Sequence, residues 1–202
     1  KVLYVFHVMV HPFDGYEGIK FYNKGSLAVS YGILILWFLL NIIKHQATGF
    51  LFNYTEIQNI NILSIFASSI GVFVLWIVAN WALCTLLDGE GSFKQIFIAS
   101  AYALVPYIIL TIPSLILSNV LVLNESIYLS IINQGSILWC ALLLLIGMMT
   151  IHQYSFKNTM KTIVFTVLGM GAIVFIGLLA YSLYQQVWMF VTNIYNEIMF
   201  RV

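Results

Sequence analysis

The stretch that decides the fold is residues 60–87, INILSIFASSIGVFVLWIVANWALCTLL, which contains no charged residue. An α-helix needs about 20 consecutive, mostly apolar residues to cross the hydrocarbon core of a bilayer, which is about 30 Å thick. These 28 residues exceed that length. They therefore predict a membrane-spanning helix that tilts or protrudes from the membrane.

Four further stretches have the same apolar character. They are residues 25–43, 93–120, 126–151 and 162–184. Charged residues make up 7% of the 202 residues, against roughly 25% in soluble domains, so a soluble domain is excluded. Backbone groups in lipid must bond within their own segment, and the alternation of barrel strands is absent. The sequence predicts an all-α, polytopic membrane bundle with five transmembrane helices in residues 25–184.

The two ends of the chain are predicted to flank this bundle. Residues 2–10 are apolar but too short to span, so residues 1–24 are expected to form a cytoplasmic or interfacial segment. Residues 185–202 are expected to form an amphipathic extension of the last helix, with Trp188 in an interfacial aromatic belt. Its apolar residues at helical spacing are Val187, Val191, Ile194 and Ile198.

The distribution of basic residues predicts the orientation, because Lys and Arg accumulate on the cytoplasmic side. With five spans, one side holds Lys1, Lys20, Lys24, Lys94, Lys157 and Lys161, and the other holds Lys44 and Arg201. We expect the amino terminus inside and the carboxyl terminus outside in the lipid bilayer.

The turn Asp88-Gly89-Glu90-Gly91-Ser92 joins the second and third spans. Gly89 and Gly91 are expected to supply positive φ in a sharp reversal. Ser92, with Gln95 three residues later, is a capping-box pattern for the third helix. Asp88 and Glu90 offer carboxylate oxygens to a divalent ion, but two carboxylates are too few for a dedicated site. A structural turn is favoured, with partner contact as the alternative; Lys94 follows on the same surface.

Pro106 and Pro113 interrupt the third span and predict a kink there. A packing bend is favoured over a transport site at a helix break. No span has an ionisable residue near its middle, and this argues against a pump or charged-substrate transporter. Asn80 is expected to bond between helices, while Ala99 and Ala103 permit close helix approach.

His7 and His11 are four residues apart, a spacing that zinc ligands use, and Asp14, Glu17 or His152 is a candidate third ligand. Surface residues of an interfacial segment are the favoured interpretation, because no HExxH motif or cysteine partner accompanies them. No nucleophile motif, P-loop or dinucleotide fingerprint occurs. We expect no catalytic site, no cofactor, no bound metal and no nucleic-acid partner.

Two stretches carry a family resemblance. The run Asp88-Gly-Glu-Gly-Ser-Phe-Lys-Gln-Ile, followed by Ala101-Tyr102-Ala-Leu-Val-Pro106, resembles the Yip domain family. His11-Pro12-Phe13 looks like a Pro-Phe element of the bacterial branch, and the stretch from His152 to Ser155 is also similar. The resemblance implies five spans, a cytoplasmic amino terminus and a Gly-rich turn leading into a Tyr-Ala-x-x-Pro helix.

The resemblance and the charge distribution together favour a non-enzymatic scaffold or accessory subunit. Its partners would be other integral membrane proteins, for example the permeases of an ATP-binding-cassette sugar importer, and a homo-oligomer is compatible with the same surfaces. Expected contact residues are His11, Asp88, Glu90, Lys94, His152 and Trp188. Expected structural residues are Pro12, Asn80, Gly89, Gly91, Ser92, Tyr102, Pro106 and Pro113.

Three alternatives stay open at this point. The chain is a small permease with the Pro-kinked helix lining a polar path, or a membrane hydrolase that uses His7, His11 and His152. The family resemblance adds a trafficking factor that binds Rab-type GTPases. Eukaryotic members that do so carry a longer polar amino-terminal region than residues 1–24, which weighs against this role.

Overall fold

The structure is a computed structural model that describes residues 2–53, 61–87 and 89–201. The helices are α1 Val2–Val10, α2 Pro12–Tyr22, α3 Leu27–Ala47, α4 Ile62–Phe66, α5 Val72–Leu86, α6 Phe93–Ala103, α7 Val105–Ser118, α8 Ser126–His152 and α9 Phe156–Arg201. A π-helical segment, Ala67–Gly71, joins α4 to α5, and a 3-10 turn, Leu123–Glu125, precedes α8. The described ranges contain no strand, which confirms the all-α prediction.

Five helical stretches are long and apolar enough to cross a membrane, as the sequence predicts. They are Leu27–Ala47, Ile62–Leu86, Phe93–Ser118, Leu123–His152 and Phe156–Phe200. The last belongs to α9, which has 46 residues and is about 69 Å long at 1.5 Å per residue. That is more than twice the hydrocarbon thickness of about 30 Å. The predicted extension is therefore the continuation of the last span in one helix.

The third span is broken near its first proline. Leu104 separates α6 from α7, and Pro106 lies in the first turn of α7, where its missing N–H costs no helical hydrogen bond. Pro113 lies inside α7, which continues through it. The predicted interruption is confirmed at Pro106, whereas Pro113 does not end a helix.

Helix α6 lies at the centre of the bundle and packs against α3, α5 and α8. Its buried residues include Ala99, Ala101 and Ala103, each at most 6% exposed. Small side chains let neighbouring helix backbones approach closely, which suits the predicted role of Ala99 and Ala103. Tyr102 is also buried, and its hydroxyl accepts a hydrogen bond of 3.2 Å from the Ser26 N–H.

Helix α2, which begins at Pro12, packs against α8 instead of lying apart as a surface segment. Tyr16 and Ile19 are buried in this contact. The Tyr16 ring lies so close to Gly147 that a Cβ there would be 3.0 Å from a ring carbon. Part of the amino-terminal segment thus belongs to the core, which charge and length alone do not predict.

The bundle has two ends with different chemistry. We name as the turn end the loop of residues 87–92, the end of α8 and the start of α9. The cavity end comprises the ends of α3 and α7 and the start of α8. At the cavity end, the Gly49 N–H donates to Ser118 Oγ at 3.0 Å, and Asn119 Nδ2 donates to the Ala47 carbonyl at 3.0 Å.

Candidate functional site

A chain of buried polar side chains joins three helices at the turn end. His152 Nε2 lies 3.0 Å from Asn80 Oδ1, and Asn80 Nδ2 lies 3.4 Å from Thr166 Oγ1. All three residues are at most 1% exposed. Thr166 donates in turn to the Thr162 carbonyl at 2.7 Å. Buried polar groups must be paired to avoid a desolvation cost, so this network fixes α5, α8 and α9 relative to one another. Asn80 does bond between helices as predicted.

The His152 ring is enclosed by the turn. Tyr154 stacks on it with ring centroids 5.3 Å apart, and the Tyr154 hydroxyl donates to the Leu87 carbonyl at 3.0 Å. A Cβ on Gly91 would lie 2.5 Å from His152 Cε1, and one on Gly89 would lie 3.0 Å from Nδ1. The two glycines therefore provide the space that the imidazole occupies.

This geometry corrects the predicted role of the glycines. No described glycine has a positive φ, so neither Gly89 nor Gly91 supplies a left-handed reversal. Positive φ occurs instead at Asn23 and Gln153, which end α2 and α8. A glycine can be required by close approach as well as by conformation, and the sequence pattern does not distinguish the two causes.

Lys20 ties α2 to this junction. Its Nζ donates to the Ile151 carbonyl at 2.9 Å and to the Glu90 carbonyl at 3.0 Å, and it lies 3.3 Å from Glu90 Oε2. The Lys20 side chain is 9% exposed, and Glu90 is 64% exposed. A cation at the carboxyl end of α8 is favoured by the unpaired carbonyls there. The predicted site residue Glu90 thus has an internal partner in Lys20, which sequence reasoning missed.

The capping box of α6 is confirmed. Gln95 N donates to Ser92 Oγ at 3.4 Å, and Ser92 N donates to Gln95 Oε1 at 3.1 Å. Gln95 Nε2 also donates to the Lys20 carbonyl at 3.0 Å. The cap therefore connects α6 to α2 as well as starting its own helix.

The remaining predicted contact residues are not brought together. His11 and Lys94 are exposed on different elements, whereas His152 is buried and is not a surface contact. Trp188 is 59% exposed on α9 and stacks on Tyr184 with centroids 6.5 Å apart. Asp88 lies outside the described residues.

The histidines of the hydrolase alternative do not form a metal site within the described ranges. His7 and His11 stack on each other with centroids 5.3 Å apart. Among the residues that the structure describes, no three His, Cys, Asp or Glu side chains are grouped to hold a metal ion. His152 has its own partners in the buried network.

The carboxyl-terminal part of α9 is uncovered. Residues 171–200 are exposed except for the half-buried Thr192. One row of residues in this part repeats at alternating steps of four and three, the spacing of a coiled-coil seam. We call this row the α9 strip; it consists of Ile173, Gly177, Ala180, Tyr184, Val187, Val191, Ile194 and Ile198.

The residues beside the strip complete the pattern. In residues 185–197, five of the six positions farthest from it are polar: Gln185, Gln186, Thr192, Asn193 and Asn196. The positions that border it carry Trp188, Phe190, Tyr195 and Glu197. The sequence prediction identified the last four strip residues. The first four lie in an all-apolar span, where the repeat is not visible as amphipathicity.

The strip continues a face that is already packed. Thr159, Thr162, Thr166 and Gly169 follow the same three-and-four spacing; the three threonines are buried. A Cβ on Gly169 would lie 3.2 Å from Leu83 of α5. The same face of α9 therefore packs against the bundle in residues 156–169 and is uncovered in residues 171–200.

Comparison with known families agrees with this architecture. The model of the Yip1 domain matches residues 6–188. This chain belongs to the Yip1 domain family. The match covers the amino-terminal helices, all five apolar helices and the beginning of the α9 extension. Neither curated proteins nor solved structures gave a match.

Membership makes the chain a multi-pass integral membrane protein, in agreement with its five candidate spans. The family is one of membrane proteins and is not known for an enzymatic activity. The carboxyl-terminal part of α9 is uncovered in the structure, and the spacing of its strip is typical of a helix–helix contact.

Proposed function

We propose that this Yip1-family chain is a non-enzymatic scaffold or accessory subunit that binds another membrane protein through the α9 strip. The observation that carries the proposal is the continuity of that strip with the face that packs on α5. Ile173 to Ile198 prolong an existing helix–helix interface by 25 residues, roughly 38 Å at 1.5 Å per residue, with no described part of the chain covering it.

The repeat specifies what covers the strip. A seam with a seven-residue repeat fits a second α-helix. Because the seam begins within the span and runs past residue 184, the complementary helix crosses the bilayer and projects beyond it as well. The occupant is therefore a membrane-spanning helix of a partner protein, prolonged outside the bilayer.

A permease role is less well supported. Any path along α7 meets the buried side chains of α6 and α5, including Tyr102, Ile98, Phe73 and Ile77, which are at most 6% exposed. These apolar contacts separate the two ends of the bundle in the described part of the chain. A binding function needs no such path.

The membrane, the orientation and the partner class that we propose rest on the sequence. Placement in a bacterial plasma membrane, with the amino terminus inside, comes from the charge distribution and the resemblance to the bacterial branch. A transporter permease, such as that of a sugar importer, is the partner class that this resemblance suggests. A Rab-type GTPase is the alternative partner, and it would act at the cytoplasmic surface instead of along α9.

Site-specific photo-crosslinking in native membranes tests the strip. A photoreactive side chain at Ile194 is expected to form a crosslink to a second, different membrane polypeptide. The same group at Asn196, on the polar face of the same turn, is the matched control and should not. Val191→Asp should lower the Ile194 crosslink at least tenfold because it buries a charge in the interface, whereas Asn193→Asp should leave it unchanged.

Three outcomes would overturn the proposal. Crosslinks only to another copy of the chain would make the strip a homo-oligomer seam. Crosslinks only to lipid would place the extension on the membrane surface. Equal crosslinking from Ile194 and Asn196 would show that the strip has no specific occupant.

A further inference from the structure

An open cavity of about 840 Å³ lies at the cavity end, between α3, α7 and α8. Its walls carry polar side chains alongside apolar ones. Hydroxyl groups come from Thr111, Ser114 and Ser118 of α7, and Asn133 of α8 faces them. Leu115, Ile127 and Leu129 supply apolar surface. Polar groups are costly in lipid unless they are paired with protein, water or a ligand.

Lys44 gives this cavity its charge. Its Nζ lies 3.4 Å from the Tyr107 hydroxyl and 5.4 Å from the centre of that ring. No carboxylate lies within 4.0 Å of the Lys44 ammonium in the described ranges; the ion pair of Lys20 with Glu90 lies at the turn end. The described lining contains no Asp or Glu, and His45 is also part of it. An ammonium group without a carboxylate favours an anionic ligand.

The pattern of hydrogen bonds leaves donors available. Ser114 Oγ donates to Asn133 Oδ1 at 3.2 Å, and Asn133 Nδ2 makes no hydrogen bond to a described residue. The Thr111 and Ser118 hydroxyls donate to backbone carbonyls of their own helix, at 2.7 Å each. The donors left available in the described lining thus include the Lys44 ammonium and the Asn133 amide, which suit an oxyanion.

The depth of the cavity points to a lipid. Tyr107 and Ser118 both line it and are eleven residues apart on α7, about 16 Å along the helix. That is about half the hydrocarbon thickness, or one leaflet. Outside the cavity, α7 presents Ile112 and Ile116, which are 50% and 64% exposed. Acyl chains can lie along this apolar surface while a headgroup enters the cavity.

We propose that the cavity binds the phosphate-bearing headgroup of an anionic membrane lipid, with Lys44 as its charge partner and Asn133 as a second donor. The volume accommodates a headgroup together with the first part of the chains. This proposal stands on α3, α7 and α8 and does not depend on the α9 strip.

Lipid titration of the purified full chain in mild detergent, followed by native mass spectrometry, tests the proposal. The probes are phosphatidylglycerol, phosphatidylcholine and inorganic phosphate. Phosphatidylglycerol is expected to bind tightest, and Lys44→Gln should weaken it about tenfold or more, since hydrogen bonds to charged groups are worth about 1.5–3 kcal/mol. Lys44→Arg should retain binding, and Lys157→Gln, an exposed lysine on α9, is the matched control.

Asn133→Leu is a second variant, which removes the amide donor without touching the lysine; it should also weaken phosphatidylglycerol binding. Equal binding of phosphatidylcholine and phosphatidylglycerol would overturn the proposal, as would equal losses in Lys44→Gln and Lys157→Gln. If inorganic phosphate displaces the lipid at low concentration and phosphatidylglycerol gives no selective adduct, the site takes a soluble anion and the lipid assignment is wrong.

Discussion

Replacing Gly91 by alanine should destabilise the turn end, although the backbone there has no positive φ that requires glycine. The added Cβ would lie 2.5 Å from His152 Cε1, 2.6 Å from Nδ1 and 2.9 Å from Ile151 Cγ2. The ring cannot yield easily, because Asn80 holds its Nε2 and Tyr154 stacks on its face. Overpacking of this kind costs about 1–3 kcal/mol.

Part of that cost is offset in the unfolded state. A Gly→Ala substitution lowers the entropy of the unfolded chain and so stabilises the fold by about 0.4–1 kcal/mol. The expected net loss for Gly91→Ala is therefore about 1–2 kcal/mol. In contrast, Gly171→Ala on α9 meets nothing within 4 Å and should be stabilising, since alanine is the better helix former.

Thiol labelling of Cys84 reports the destabilisation close to Gly91. Cys84 is 1% exposed, and its Sγ lies 3.7 Å from the Gly91 carbonyl. In a Cys140→Ser background, Gly91→Ala should speed maleimide labelling of Cys84 and lower the temperature at which the purified protein unfolds. Gly171→Ala is the control and should do neither.

A double-mutant cycle of Gly91→Ala with His152→Ala tests whether the His152 ring causes the loss of stability. His152→Ala removes the ring that the new methyl group would meet, so Gly91→Ala should cost little in that background. If Gly91→Ala costs the same with and without the His152 ring, or costs nothing in the intact chain, the steric account of this glycine is wrong.

Two further predictions concern the charges. Lys20→Met should lower the free energy of unfolding by about 2 kcal/mol, because it removes the nearly buried donor to the Ile151 and Glu90 carbonyls. Lys24→Met, at an exposed position, should change it by less than about 0.5 kcal/mol. Equal effects of the two substitutions in a chemical denaturation series would contradict this. The orientation is tested with single cysteines in a Cys84→Ser, Cys140→Ser background. A cysteine in place of Asn124 should react with an impermeant maleimide in intact cells, whereas one in place of Lys157 should react only after lysis. The reverse labelling pattern would mean that the membrane topology is inverted.

The spans could be predicted because one physical requirement determines them. A stretch such as residues 60–87 has no charge and exceeds the thickness of the bilayer, so a helix is the only backbone form that satisfies its polar groups there. The capping box at Ser92 is also local, since its two hydrogen bonds join residues three apart. Local hydrogen-bonding rules and the apolar interior of the bilayer are sufficient to predict these spans and this cap.

The turn-end network could not be predicted in the same way. His152, Asn80 and Thr166 are separated by 72 and 86 positions along the chain, and a single sequence gives no signal for such pairs. In the sequence, Lys20 is visible only as a positive charge that indicates orientation, whereas its side chain is largely buried in the junction. The turn glycines are visible too, but neighbours that exclude a Cβ at these positions, such as His152, are distant in sequence.

Helix α9 connects the buried turn-end network to the exposed α9 strip. Thr159, Thr162 and Thr166 are buried and donate to carbonyls of their own helix at 2.7–3.0 Å, so their methyl groups can pack while their hydroxyls stay paired. Asn80 then fastens Thr166 to α5. A helix held this firmly at one end presents its remaining face in a fixed direction, which lowers the ordering cost of binding. Weakening the junction, for example by Gly91→Ala, should therefore reduce crosslinking at Ile194 without altering any residue of the strip.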